Sequence, residues 1–186
     1  AGQASELFEQ NLVLLDSAHI EEKNAIKNNV PYPSISKELK KALSSTNVEI
    51  LQWQLEMQIA ENDSIDCRLR SPTMQIESHQ YTTQVWLDIE NNRLFVNATT
   101  DIDPALPFVG IHFGEDKFEP FSLSRHSQYA IWEGDLGDLI KLNKKMSLVL
   151  GGNDLKSEIQ LASIDLNALK QIYPKYLACT KRFFGQ

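Results

Sequence analysis

Two cysteines, four histidines and two acidic groupings are the residues of this 186-residue chain whose types and spacing could do chemistry. Cys67 stands in "SIDCRLRSP" and Cys179 in "LACTKRFFGQ", 112 positions apart. That separation excludes a CxxC redox or zinc pair. It leaves free thiols, a nucleophile, or the two halves of one bridge. A reactive thiolate needs a base beside it, and Cys67 is instead followed by Arg68 and Arg70 in a strand-like run with no local signature.

His19, His79, His112 and His126 form no HExxH and no close pair with a second ligand, so no metal site is assigned. His112 alternates with Ile111 and Phe113 and is expected to point away from the core into solvent, while His126 lies in polar "SRHSQ". GxSxG is absent, and "GGND" lacks the lysine and helix that make a glycine loop an anion cradle. No catalytic residue and no cofactor is therefore assigned.

The acidic groups are Asp101 and Asp103 in "TTDIDPALP", and Glu133, Asp135 and Asp138 in "WEGDLGD". Their spacing is not that of a calcium loop. Aspartate and glycine before a helical turn are what capping requires, and that is the expected role. Trp53, Trp86 and Trp132 fall on strand-like runs, where aromatics fill a sandwich core; an exposed row of them would instead stack on carbohydrate. The candidate binding residues are thus Trp86, Trp132, His126, Glu133 and Asp135, and a cleft gathering the last three is where an enzymatic site would lie. Asn62 and Asn97 each head an N-x-Ser/Thr sequon, which matters only in a eukaryotic secretory pathway.

The elements that would position these groups are mostly strands. In "LQWQLEMQI" Leu51, Trp53, Leu55, Met57 and Ile59 alternate with polar residues, which predicts one long, half-buried antiparallel strand. "YTTQVWLDI" and "RLFVNAT" flank the turn "ENN"; "PFVGIHF" and "KFEPFSL" flank "GED"; "MSLVL" and "LKSEIQLASI" flank "GGND". Hairpins at this spacing predict a mainly β, α+β fold with an antiparallel sandwich or barrel-like body.

Three segments read as helices. Ser5 to about Asn28 carries the stripe Phe8, Leu12, Leu15 and His19; Ser36 to about Leu43 is fenced by "PYPS" and "SSTN"; the third starts near Asp165 and either kinks or restarts at Pro174. A short helical turn is expected in "DLGDLIKLNKK". Residues 1–47 therefore read as a helical N-terminal arm or cap, and 48–186 as a β-rich domain closed by a C-terminal helix.

Composition narrows the function further. Hydrophobic residues at 42% and charged ones at 23% suit a globular protein, and no apolar run approaches the roughly 18 residues of a membrane-spanning helix. A net charge of -7 repels a phosphate backbone, and its few clustered lysines read as helix termini, so no nucleic-acid partner is expected. The chain opens "AGQAS" without methionine, as a processed exported protein or a truncated start would.

The layout of a tryptophan-bearing strand, then "IDCRL" running to a proline, hairpins, and "LASIDLNALKQIYPKYLACTK" resembles the N-terminal domain of the flagellar motor MotY family. It resembles more loosely the invasion-associated locus B proteins and accessory proteins of type VI secretion clusters. The matching positions are Trp53, Cys67, Leu69, Pro72 and Cys179. The resemblance implies a Cys67–Cys179 strand-to-helix disulfide, a periplasmic or otherwise exported location in a Gram-negative bacterium, and action by protein contact in the cell envelope rather than by catalysis. In that family a separate domain grips peptidoglycan, and the helical arm is not part of the pattern. The reading taken forward is an accessory or adaptor of a secretion or motility machine; the alternative is a small-molecule or glycan-binding β-domain with a helical lid.

Overall fold

The computed structural model describes residues 37–77, 82–102, 106–114, 117–122, 127–151 and 159–184. The stretch from Ser5 to Asn28 lies outside these residues, as do His19, His79, Asp103 and His126. In chain order the elements are α1 (Lys37–Ser45), β1 (Val48–Ile50), β2 (Gln54–Ile59), β3 (Ile65–Arg70), β4 (Met74–Glu77), β5 (Thr82–Glu90), β6 (Arg93–Ile102), β7 (Gly110–His112), β8 (Phe118–Pro120), β9 (Ser127–Trp132), α2 (Leu136–Leu142), β10 (Lys145–Gly151), β11 (Gln160–Asp165) and α3 (Asn167–Phe184).

The strands form two mostly antiparallel sheets, one ordered β1-β11-β10-β7-β8 and the other β2-β3-β5-β6-β9 with β4 also paired to β5. The expected mainly β, α+β architecture is what the chain adopts. The β5–β6 hairpin shows why. Val85, Leu87 and Ile89 alternate with Gln84, Trp86 and Asp88, and the first three are wholly buried. Asn91 and Asn92 sit at φ 51° and 61°, the left-handed pair that matches a two-residue turn to the twist of its strands. Across the layers Leu69, Leu87, Ile89, Leu94 and Val96 of one sheet share a core with Ile111, Met146, Leu148 and Ile164 of the other.

The helices close what the sheets leave open. α1 seats Leu39 and Leu43 on Val149 and Leu161, on the outward face of the first sheet. α3 begins where the Asp165 carboxylate accepts the Asn167 N–H at 2.7 Å, then runs unbroken through Pro174 instead of restarting there. Its inward residues Leu169, Tyr173, Tyr176 and Cys179 join the core, and Lys181 and Arg182 occupy its last turn, where cations complement the dipole.

Two expectations are corrected. "LQWQLEMQI" is not one half-buried strand: Leu51 and Trp53 are buried but precede β2, while Met57 is 63% and Ile59 77% exposed. β2 is the terminal strand of its sheet, and its apolar side extends past the layers that cover its neighbours. His112 does face away from the sandwich core, yet it is only 1% exposed. The outward face of its sheet is itself covered, as the seating of α1 on Val149 and Leu161 illustrates. Alternation identifies a side of a strand; it does not say whether that side is wet.

Candidate functional site

Four places gather side chains capable of chemistry or contact. The first is the closed end of the sandwich, where Cys67 on β3 and Cys179 on α3 form a disulfide with Cα atoms 6.2 Å apart. Both residues are buried. Beside them α3 holds the tip of the β5–β6 hairpin: Tyr176 Oη accepts the Asn92 N–H at 3.3 Å, and Tyr173 Oη donates to Asn92 Oδ1 at 3.2 Å. The two rings stack at 5.8 Å. Burial pushes both phenols above their ordinary pKa, with each other's proximity adding for Tyr173. A cleft of about 280 Å³ opens between this clasp and β3, lined by Asp66, Cys67, Asn91, Leu177 and Thr180.

The second place is a cleft of about 290 Å³ at the start of α2, and it brings together three of the residues singled out above. Trp132, Glu133 and Asp135 line it with Lys117, Glu119 and Asp138. Each of the three also makes a contact within the fold. Asp135 is the N-cap of α2, accepting the Asp138 N–H at 2.9 Å, as capping chemistry leads one to expect. Glu133 is exposed and 3.6 Å from Arg93. Trp132 is buried in the core, with Gly134 folded so closely against it that a Cβ there would lie 2.7 Å from the ring. His126 lies outside the described residues, so its place relative to Glu133 and Asp135 is not part of this geometry.

The third place is the outward face of the second sheet. Trp86 is half-buried there and pairs across the strands with Asn97, which pairs in turn with Tyr129, 45% exposed. Beside this row Arg70 grips Asp88 with two bonds, Nε–Oδ1 at 2.7 Å and Nη2–Oδ2 at 3.0 Å. Asn97 Nδ2 adds a third at 3.2 Å to Asp88 Oδ2. The hydrogen bonding of Arg70 to Asp88, with the carboxylate charge behind it, raises the Arg70 pKa above its ordinary value. Trp86 and Trp132 therefore do not form a row; they face opposite sides of one sheet, as the register places Trp132 opposite core Leu94 and Trp86 opposite Asn97.

The fourth is a polar row on the outward face of the first sheet, where His112, Ser147 and Ser163 are cross-strand neighbours and all buried. The Ser147 and Ser163 hydroxyls are 2.7 Å apart. His112 Nε2 donates to the Phe108 carbonyl at 2.7 Å, and its ring packs 4.6 Å from Phe118. Burial lowers the His112 pKa to about 4, so the imidazole is neutral at physiological pH. Among the described residues no group of three or more His, Cys, Asp or Glu could hold a metal ion.

Sequence reasoning missed the tyrosine clasp and the buried His–Ser–Ser row. The turn "ENN" was legible, but nothing local to it indicates the partner 84 positions away. The row joins residues from β7, β10 and β11, and β7 pairs with β10 only across the stretch of chain that holds β8, β9 and α2. No protein-family model matches the chain, and neither the curated proteins nor the solved structures contain a match.

Proposed function

We propose that this protein is an exported, non-enzymatic interaction module of a Gram-negative cell envelope, serving as an accessory or adaptor in a secretion or motility machine. The observation that carries the interaction is β2, an edge strand among the described residues, whose Met57 and Ile59 are large, apolar and exposed. A six-residue sheet edge that exposes apolar side chains and carries no lysine or proline is a template for another chain. The compartment is supported by the buried Cys67–Cys179 bridge, since such bridges persist in oxidising surroundings and are rare in a reducing cytosol. The MotY-like layout points the same way.

A photo-crosslinking amino acid at Met57, compared with one at exposed Thr99 on β6, tests the reading in living cells. A discrete protein adduct from position 57 alone is the expected result. Equal background from both positions, or two freely alkylated thiols in protein drawn from its own cells, overturns it.

A second reading has one observation in its favour. Trp86, Asn97 and Tyr129, flanked by the Arg70–Asp88 pair, make an aromatic and polar surface of the kind on which sugars stack. Titration with soluble oligosaccharides, followed by indole fluorescence in wild type and Trp86→Ala, separates the two: saturable quenching lost in the variant favours glycan binding.

A further inference from the structure

We infer that the partner of the β2 edge is the β2 edge of a second copy of this chain, paired antiparallel about a two-fold axis through Met57. This rests on the interaction reading above and names its surface and occupant.

The backbone fixes which groups are available. Ala60 N–H donates to Ser64 O at 2.8 Å, just past the end of the ladder in which Gln58 opposes Asp66, Glu56 opposes Arg68 and Gln54 opposes Arg70. Bonded and non-bonded pairs alternate in an antiparallel ladder. The even-numbered residues therefore turn their N–H and C=O toward β3, and Leu55, Met57 and Ile59 turn theirs to the open side. No strand pairs with that side among the described residues.

The sequence of the edge is self-complementary in one register. With Met57 opposite Met57, Leu55 falls opposite Ile59 on both sides of the axis, and every one of these residues presents outward backbone groups. The apolar side chains then lie together on one face, covering the exposed Met57 and Ile59 of both copies. On the other face Glu56 falls opposite Gln58, and Glu56 is already held by Arg68 at 2.7 Å. An axis through Glu56 would set two carboxylates against each other, and one through Gln58 would put Leu55 opposite Glu61. Charge and hydropathy thus select the axis through Met57, and an isologous contact of this kind closes as a dimer instead of growing into a fibre.

The test is a charge swap at the axis in the full chain. Wild type is expected at twice the chain mass of 21.1 kDa by light scattering, dissociating on dilution. Met57→Lys and Met57→Glu place like charges together and are each expected to be monomers with the wild-type circular dichroism spectrum and an intact bridge. Mixed, they are expected to recover the dimer. In parallel, Met57→Pro removes an outward N–H but no bond to β3, and is expected to give a folded monomer.

Wild type that stays monomeric at every concentration overturns the inference, as does a mixture that fails to reassociate. Concentration-independent protection of the Leu55, Met57 and Ile59 amides from hydrogen exchange also overturns it, because another part of the same chain then covers the edge. If position 57 crosslinks to a different protein while wild type is monomeric, the interaction reading stands and the self-pairing fails.

Discussion

The backbone N–H of Asn92 donates to the phenol of Tyr176 at 3.3 Å, across 84 positions of chain. A hairpin turn is thereby fastened to the closing helix within one cleft's width of the disulfide, whose Cys67 lines the same cleft as Asn91, Asn92 and Tyr176. Covalent and hydrogen-bonded clasps act on the same pair of layers, β3 and the β5–β6 hairpin against α3.

Removing the acceptor should loosen that end without unfolding it. Tyr176→Phe is expected to cost about 1 kcal/mol, the usual worth of one hydrogen bond, which lowers the melting temperature by roughly 2 to 4 °C for a domain of this size. Both phenols have raised folded pKa values, so their contribution is complete below the ordinary 10.0 and is lost as pH climbs through the folded values. Wild type should therefore lose stability above pH 10 more steeply than the Tyr173→Phe/Tyr176→Phe double variant. Equal alkaline slopes in a chemical denaturation series would contradict this.

The bridge is the larger clasp. Its loop of 112 positions corresponds to about 4 to 5 kcal/mol in the chain-entropy account. Cys67→Ser/Cys179→Ser should lower the melting temperature by on the order of 10 °C, and wild type in reductant should approach the variant. Because α3 contributes Tyr173, Tyr176 and Leu169 to the core, amide exchange should accelerate first in the last turns of that helix.

His112 sets an acid limit. Its pKa is lowered from 6.5 to about 4, so the stability it confers is complete above pH 6.5 and drains away as pH falls through the folded value. The loss between those limits is on the order of 3 kcal/mol. His112→Gln keeps a donor for the Phe108 carbonyl but cannot charge, so its stability should fall less from pH 6.5 to pH 4 than that of wild type. Parallel acid curves for the two proteins would show that the imidazole does not titrate on unfolding.

Gly110 makes the approach of β7 to β8 possible. It lies at φ 154°, and a Cβ there would sit 2.5 Å from the Glu119 carbonyl and 2.6 Å from the Phe118 ring. The first contact is with backbone and cannot move aside without parting the pair. Gly110→Ala should cost about 2 kcal/mol or more, in the range of overpacked core sites. The loss should appear in chemical denaturation as a lower midpoint with an unchanged slope.

Particular segments show what was legible in advance. The β5–β6 hairpin, the capping role of Asp135 and the start of α3 just after Asp165 all follow from local rules: alternation, a turn that accepts positive φ, and a carboxylate next to free N–H groups. Each is decided within about ten residues of chain. Two cysteines are the even count that a single bridge requires, and the structure contains a Cys67–Cys179 bridge.

Solvation was not legible. His112 and Met57 sit in equally clear alternating patterns, yet the outward-facing histidine is buried and the apolar methionine is exposed. The amino-acid sequence by itself determined the sidedness of β5 and β6, the Asn91–Asn92 turn between them and the helix that carries Cys179. Tertiary structure alone decided which faces another layer covers, that Trp86 and Trp132 look to opposite sides, and that β2 ends its sheet among the described residues. The reason is that periodicity is a property of one strand, whereas burial depends on every element stacked upon it, and those elements come from distant parts of the chain.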